Sequence, residues 1–348
     1  MRSFAKVFCL SLLAVALLAG SAQARTVNGC KIKHHTSCDH KDLHGQDLHG
    51  AVLHHSVLHH INLRKANLRG ADLSYADLRE ADLRGADLRG ANLKGAKLHH
   101  YTAPKKKGAR TSATPACAPN CQGANLTGAN LTNANLTNAN LTNATLIAAT
   151  VKSANLTSAT LTGATLTGAN LTSANLTSAN LTSANLGIAT LIGANLTGAI
   201  LNNSDLFGAN LTGANLTSAN LSYASMSSVT LIAATLKNAN LTNAWLRNAT
   251  LTNATLTGAT LTGANLILAD LSYAGLTSAV LNGARLNNAD LTSADLTSAN
   301  LTSATLAYAT LTNATLIGAT LTNANLEGAT GCSTVTPTGT LNSYGCAS

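Results

Sequence analysis

The chain has 348 residues and a formal net charge of +9 at pH 7, with 22 Lys and Arg against 13 Asp and Glu. Aromatic residues make up 3% and charged residues 10%. That is poor in large apolar side chains for one compact globule of this length, and the basic balance excludes an acidic surface.

Residues 1–24 read as a secretory signal peptide. Arg2 and Lys6 supply the basic start, Leu10 to Leu18 the apolar stretch, and Ala22-Gln23-Ala24 a small-x-small cleavage site. The expected mature chain begins at Arg25 and is secreted or periplasmic, and no later segment reads as a membrane span. Six cysteines remain after cleavage, in close pairs: Cys30 with Cys38, Cys117 with Cys121, Cys332 with Cys346. Even number, export and apparent exclusion from the repeats point to three local disulfides.

Residues 25–42 form a charged N-terminal cap. A first array, 43–98, follows, with leucine every fifth residue from Leu43 to Leu98. Residues 99–122 interrupt it with Pro104, Pro115, Pro119 and Lys105 to Lys107, a loop by composition. The second array, 123–330, resumes the period from Leu126 to Leu326, with only Val151 and Met226 replacing leucine, and 331–348 is a Cys-containing C-terminal cap. The separation of Leu98 and Leu126 is not a multiple of five. The coil therefore either continues past an inserted loop or splits into two stacked solenoids.

A period of five fits neither helix nor flat strand. Alanine two before leucine faces the same way as the leucine, and Gly, Ser or Asn two after it supplies a bend. Repetition on this scale specifies a solenoid. Segments such as Ala71-Asp72-Leu73-Ser74-Tyr75 and Ala124-Asn125-Leu126-Thr127-Gly128 resemble the pentapeptide-repeat family. The resemblance implies an all-β fold, a right-handed quadrilateral parallel β-helix with four repeats per coil. It places leucine and the small residue two before it inward, and makes the second array a rod about 50 Å long at roughly 4.8 Å per layer. The best understood members mimic DNA with an acidic surface and bind DNA gyrase. This chain departs from them in charge and in its signal.

The arrays differ outside their shared pattern. All 11 histidines lie before residue 123. Arg64, Arg69, Arg79, Arg84, Arg89 and Lys94 follow their leucines, as His44, His49, His54 and His59 do, and positions four repeats apart stack. With Lys105, Lys106 and Lys107 they form a candidate polyanion-binding collar. His34, His35, His40, His54, His55, His59 and His60 are weak candidates for a metal, in a spacing that matches no standard zinc motif. No cofactor is expected.

The surface of the second array is Thr, Asn, Ser and Gly. On the side of Leu136, threonine follows leucine in eight of ten layers from Thr137 to Thr297, a ladder that could meet ice or another crystalline surface. On the side of Leu126, Ile147, Phe207, Trp245, Arg247, Ile267 and Arg285 collect with Ile188, Leu268 and Tyr308. That is a candidate partner surface for self-association or an envelope component. The recurrent Asn-Leu-Thr sequon reads as a by-product of the repeat. No nucleophile–base pair, phosphate loop or carboxylate pair supports catalysis, and no aromatic interleaving supports sequence-specific nucleic-acid binding. The expected function is a non-catalytic exported structural or binding solenoid.

Overall fold

The computed structural model describes residues 25–98, 120–335 and 341–344. Strand β1 (Arg25–Val27) pairs antiparallel with β2 (Cys30–Ile32) across Asn28 and Gly29, both at positive φ as the tightest hairpin turns require. At the other end β3 (Gly331–Val335) pairs antiparallel with β4 (Leu341–Tyr344). Between the hairpins, each repeat bridges in parallel to the fourth repeat after it, as in Asn125 to Thr145 to Thr165. Four repeats therefore make one turn of a four-sided coil.

The five backbone N–H groups of one repeat show why the motif takes its form. Around Leu126, Asn125 N donates to Ala86 O in the layer below. Leu126 N donates to Thr145 O and Gly128 N to Ile147 O in the layer above. Ala129 N closes the corner onto Leu126 O. Only Thr127 N lacks a backbone acceptor, and it donates to Asn125 Oδ1 at 3.2 Å; the Thr127 hydroxyl donates to the same oxygen at 2.7 Å. Where Asn or Asp stands before leucine, it is therefore the acceptor for an otherwise orphaned N–H, an Asx-type turn that recurs along the rod.

The residue two after leucine closes the corner in the left-handed region: Gly128 has φ 64°, Asn133 58° and Ser153 55°. Small and turn-forming residues dominate there because only they adopt this conformation cheaply. Inward, leucine and alanine of successive layers form one continuous core, nearly all below 2% exposed. Each such leucine contributes about 1.5–3 kcal/mol of burial.

The coil is a single one. Lys97 and Asn120 occupy successive sides although a long insertion separates them, and Asp82, Asp87, Asn92 and Lys97 bridge upward to Asn120, Asn125, Asn130 and Asn135. Repeat geometry begins at Ser37, within the segment whose composition marks a cap, and resumes at Asn120, within the segment that reads as interruption. Cys38 and Cys121 occupy leucine positions and are buried. This corrects the expectation that no cysteine lies inside a repeat. From Cys38 to Leu326 the rod has about fourteen layers, or about 65 Å at ~4.8 Å each.

Candidate functional site

The disulfide expected between Cys30 and Cys38 is present, with Cα atoms 5.2 Å apart, and it ties the first hairpin to the first coil. Cys121 is a free thiol facing the core, and its expected partner Cys117 lies outside the described residues. Burial, then the Asp82 charge, pushes the Cys121 pKa up to about 12, which makes it an inert core residue. Cys346, the side chain of Cys332, the signal segment 1–24 and Lys105, Lys106 and Lys107 also lie outside the described residues.

In the first array three of the arginines are bound to carboxylates. Arg79, Arg84 and Arg89 each make a two-pronged contact with the aspartate two residues earlier, Asp77, Asp82 and Asp87. The turn that aims the aspartate at the backbone also aims it at the side chain after leucine. Burial alone would raise the Asp77 pKa. Hydrogen bonds from Arg79 and His59 outweigh it and hold the carboxyl at about 2. Asp82 is lowered in the same way against burial by Arg84, and Arg64 approaches it to 4.0 Å. Asp87 is lowered first by its hydrogen bond from Arg89. Of the six described cations of the expected collar, Arg79, Arg84 and Arg89 are thus held in close ion pairs.

The histidines stack in columns. His34 lies over His54 with ring centroids 5.2 Å apart, and His40 over His60 at 4.4 Å. His35 lies over His55 at 5.2 Å, and His55 over Tyr75 at 5.0 Å. Donor atoms of His34, His35 and His54 come within 4.8 Å of one another, as do those of Asp39, His40 and His60. His59 meets His60 edge-on and has Nε2 2.9 Å from both Asp77 and Arg79.

In the second array the bridge ladder runs through Asp205, Ser225, Trp245, Asn265 and Arg285, on the side of Leu126. Of twelve exposed large hydrophobics on outward positions of this array, six belong to that side: Ile147, Ile188, Phe207, Trp245, Leu268 and Tyr308. The Leu131 side has Ile192, Ile232 and Tyr273, the Leu141 side Ile200 and Tyr223, and the Leu136 side Ile317. Arg247 and Arg285 are exposed beside the six, and Ile267 is half-buried among them. Ile188 has φ 51° and is 62% exposed. A β-branched residue in the left-handed region is a conformational outlier.

The threonine ladder is regular, but most of its hydroxyls are engaged. Thr137, Thr157, Thr177, Thr197 and Thr217 donate to the asparagine two residues earlier at 2.6–2.7 Å. Those protons are spent within the repeat, and so are the side-chain oxygens of the asparagines in these sequons.

The family model described as Pentapeptide repeats matches residues 61–99, 120–157, 152–187, 189–222, 234–272, 269–306 and 294–330. The chain belongs to the pentapeptide-repeat family. As in that family, its coil is a right-handed β-helix.

Among solved pentapeptide-repeat proteins, HetL, involved in heterocyst differentiation regulation in the cyanobacterium Nostoc sp. strain PCC 7120, is 28% identical. The match covers 82% of this chain and 92% of that one with a TM-score of 0.36. QnrB1, a plasmid-mediated fluoroquinolone resistance protein, is 18% identical over 45% of this chain and 91% of that one, with a TM-score of 0.34. Rfr23 from the cyanobacterium Cyanothece 51142 is 36% identical over 29% and 63%, with a TM-score of 0.12. A comparison with curated proteins finds no match.

Within this pentapeptide-repeat chain the sequence locates the partner-side residues by stacking alone. It places Asp77, Asp82 and Asp87 before their leucines, where they partly offset the collar, but misses that each pairs with the arginine two residues on; it also misses Ile200 on another side and Asp39 beside His40 and His60. The pairing signal was visible as the tripeptide Asp-Leu-Arg, which recurs from Asp77 to Arg89.

Proposed function

We propose that this pentapeptide-repeat protein is an exported, non-catalytic scaffold of the cell envelope or extracellular space, which works through contacts on its Leu126 side. The carrying observation is Ile188. Gly, Asn or Ser would hold that corner at lower conformational cost, by about 1–2 kcal/mol, yet the chain exposes a β-branched apolar side chain there, beside Phe207 and within about 40 Å of Ile147 and Tyr308 along the rod. Strain retained on an exposed apolar face is a mark of function.

The favoured partner is a second copy. Asp205 and Arg285 share one column, each two layers from Trp245. Two rods side by side and antiparallel, related by a twofold axis at the Trp245 layer, bring Asp205 opposite Arg285 of the partner subunit, twice over. This is the self-complementarity an isologous interface needs. Ile188 then faces Tyr308 of the partner subunit, and Trp245 meets Trp245 of the partner subunit on the axis.

Sedimentation equilibrium of the mature chain tests the reading. Asp205→Arg should dissociate the pair, and Asp205→Arg combined with Arg285→Asp should restore it. A monomeric parent, or a double variant no better than the single one, would contradict self-association. Phe207→Thr with Trp245→Thr and Ile267→Thr should remain folded by circular dichroism and lose association.

A further inference from the structure

We propose that the histidine columns at the N-terminal end of the rod bind divalent transition-metal ions at two neighbouring sites, one at His34, His35 and His54 and one at Asp39, His40 and His60. The inference is independent of the contact face.

The repeat generates these sites by stacking. His34 and His35 occupy the two corner positions of one layer, and His54 and His55 the same positions of the next. The rise between layers therefore brings imidazoles of successive layers within reach of one ion. The corner backbone is fixed: His35, His40 and His60 have φ between 51° and 55°, and the Cys30–Cys38 disulfide brackets His34 and His35. Donor atoms within 4.8 Å must close to about 3.3 Å around an ion with bonds of roughly 2.0–2.1 Å. Side-chain rotation of exposed rings supplies that movement.

A second observation singles out His54. Its Nδ1 is buried, has no hydrogen-bond partner and lies 3.4 Å from Asp72 Oδ2. Asp72 is itself held by Ser74 N and by Asn92 Nδ2 from the layer above. A proton on Nδ1 turned toward that carboxylate leaves the Nε2 lone pair free for a metal, the carboxylate–histidine–metal arrangement that orients ligating imidazoles. In the other site Asp39 stands between two rings, its oxygens 3.8 Å from His40 Nε2 and 3.6 Å from His60 Nδ1. Two imidazoles and a carboxylate leave open positions for water. Cys38 is oxidised, so neither site has a thiolate. The nitrogen and oxygen donors suit zinc, copper or nickel over magnesium or calcium.

Calorimetric titration of Zn(II) into the full mature chain, about one pH unit above the usual histidine value of ~6.5, tests the proposal. Two equivalents are expected. His34→Ala with His54→Ala should remove one and leave the other. Asp39→Asn with His60→Ala should do the reverse. Asp72→Asn should keep the stoichiometry and weaken one equivalent by about tenfold or more. Circular dichroism checks each fold, and Co(II) absorption bands give a second reading of the ligand set. A stoichiometry unchanged by both double variants, or lowered equally by the control His44→Ala with His49→Ala, would overturn it.

Discussion

The two arrays share one core and one backbone pattern yet present opposite surfaces. In the first, residues after leucine are His, Arg and Lys apart from Ser74, and the carboxylates of Asp77, Asp82 and Asp87 are bound to the arginines that follow them. In the second, the same place is most often threonine, bound to asparagine where that residue precedes the leucine. Both solutions satisfy the same orphaned N–H after leucine, one with a charged acceptor and one with a neutral acceptor. A five-residue repeat thus separates what holds the rod together from what it shows to solvent, and single sides can change without cost to the core.

Shared cores should respond alike. Leu73→Ala and Leu216→Ala, both fully buried, should each cost about 2–5 kcal/mol. Segment-resolved hydrogen exchange should confine the loss to neighbouring layers, as expected for a quasi-one-dimensional fold. A large difference between the two would mean that the arrays differ in packing as well as in surface.

Acid should separate them. The folded Asp77 carboxyl has its pKa depressed from 3.8 to about 2, so its contribution is complete above 3.8 and is lost as pH falls toward about 2, where the folded state also takes up the proton. Asp72, Asp82 and Asp87 are lowered in the same direction. The second array has Asp270 and Asp295 lowered, through hydroxyl donors in place of arginines. Amides of the first array should therefore lose exchange protection first on acidification. Simultaneous loss in both would show that the ion pairs add nothing.

The smallest effect concerns the neutral turn. Asn175→Ala removes the acceptor of Thr177 N at 3.1 Å and of the Thr177 hydroxyl at 2.6 Å. It should cost on the order of 1 kcal/mol, read as a drop in exchange protection at Thr177. Unchanged protection would mean that water replaces the asparagine.

Leucine and alanine were legible from the sequence because their spacing repeats with few exceptions within each array, and the sides were legible because every fourth repeat stacks on the same side. Cys38 and Cys121 were misread. A cysteine in a leucine position looks like a break, and the interruption hides the phase at Cys121. The pairing within the first array was not legible because net charge does not reveal that Asp77 and Arg79 meet across one turn. Asp39 escaped notice because its partner His60 belongs to the next layer, far from it along the chain.

The central claim is that the Leu126 side is kept for contact against its own conformational preference, and Ile188→Asn tests it most directly. Asparagine suits the left-handed corner, so the variant should be more stable than the parent by about 1 kcal/mol in denaturant unfolding. It should also associate more weakly in sedimentation equilibrium. A variant that gains stability and associates as well as the parent would contradict the account.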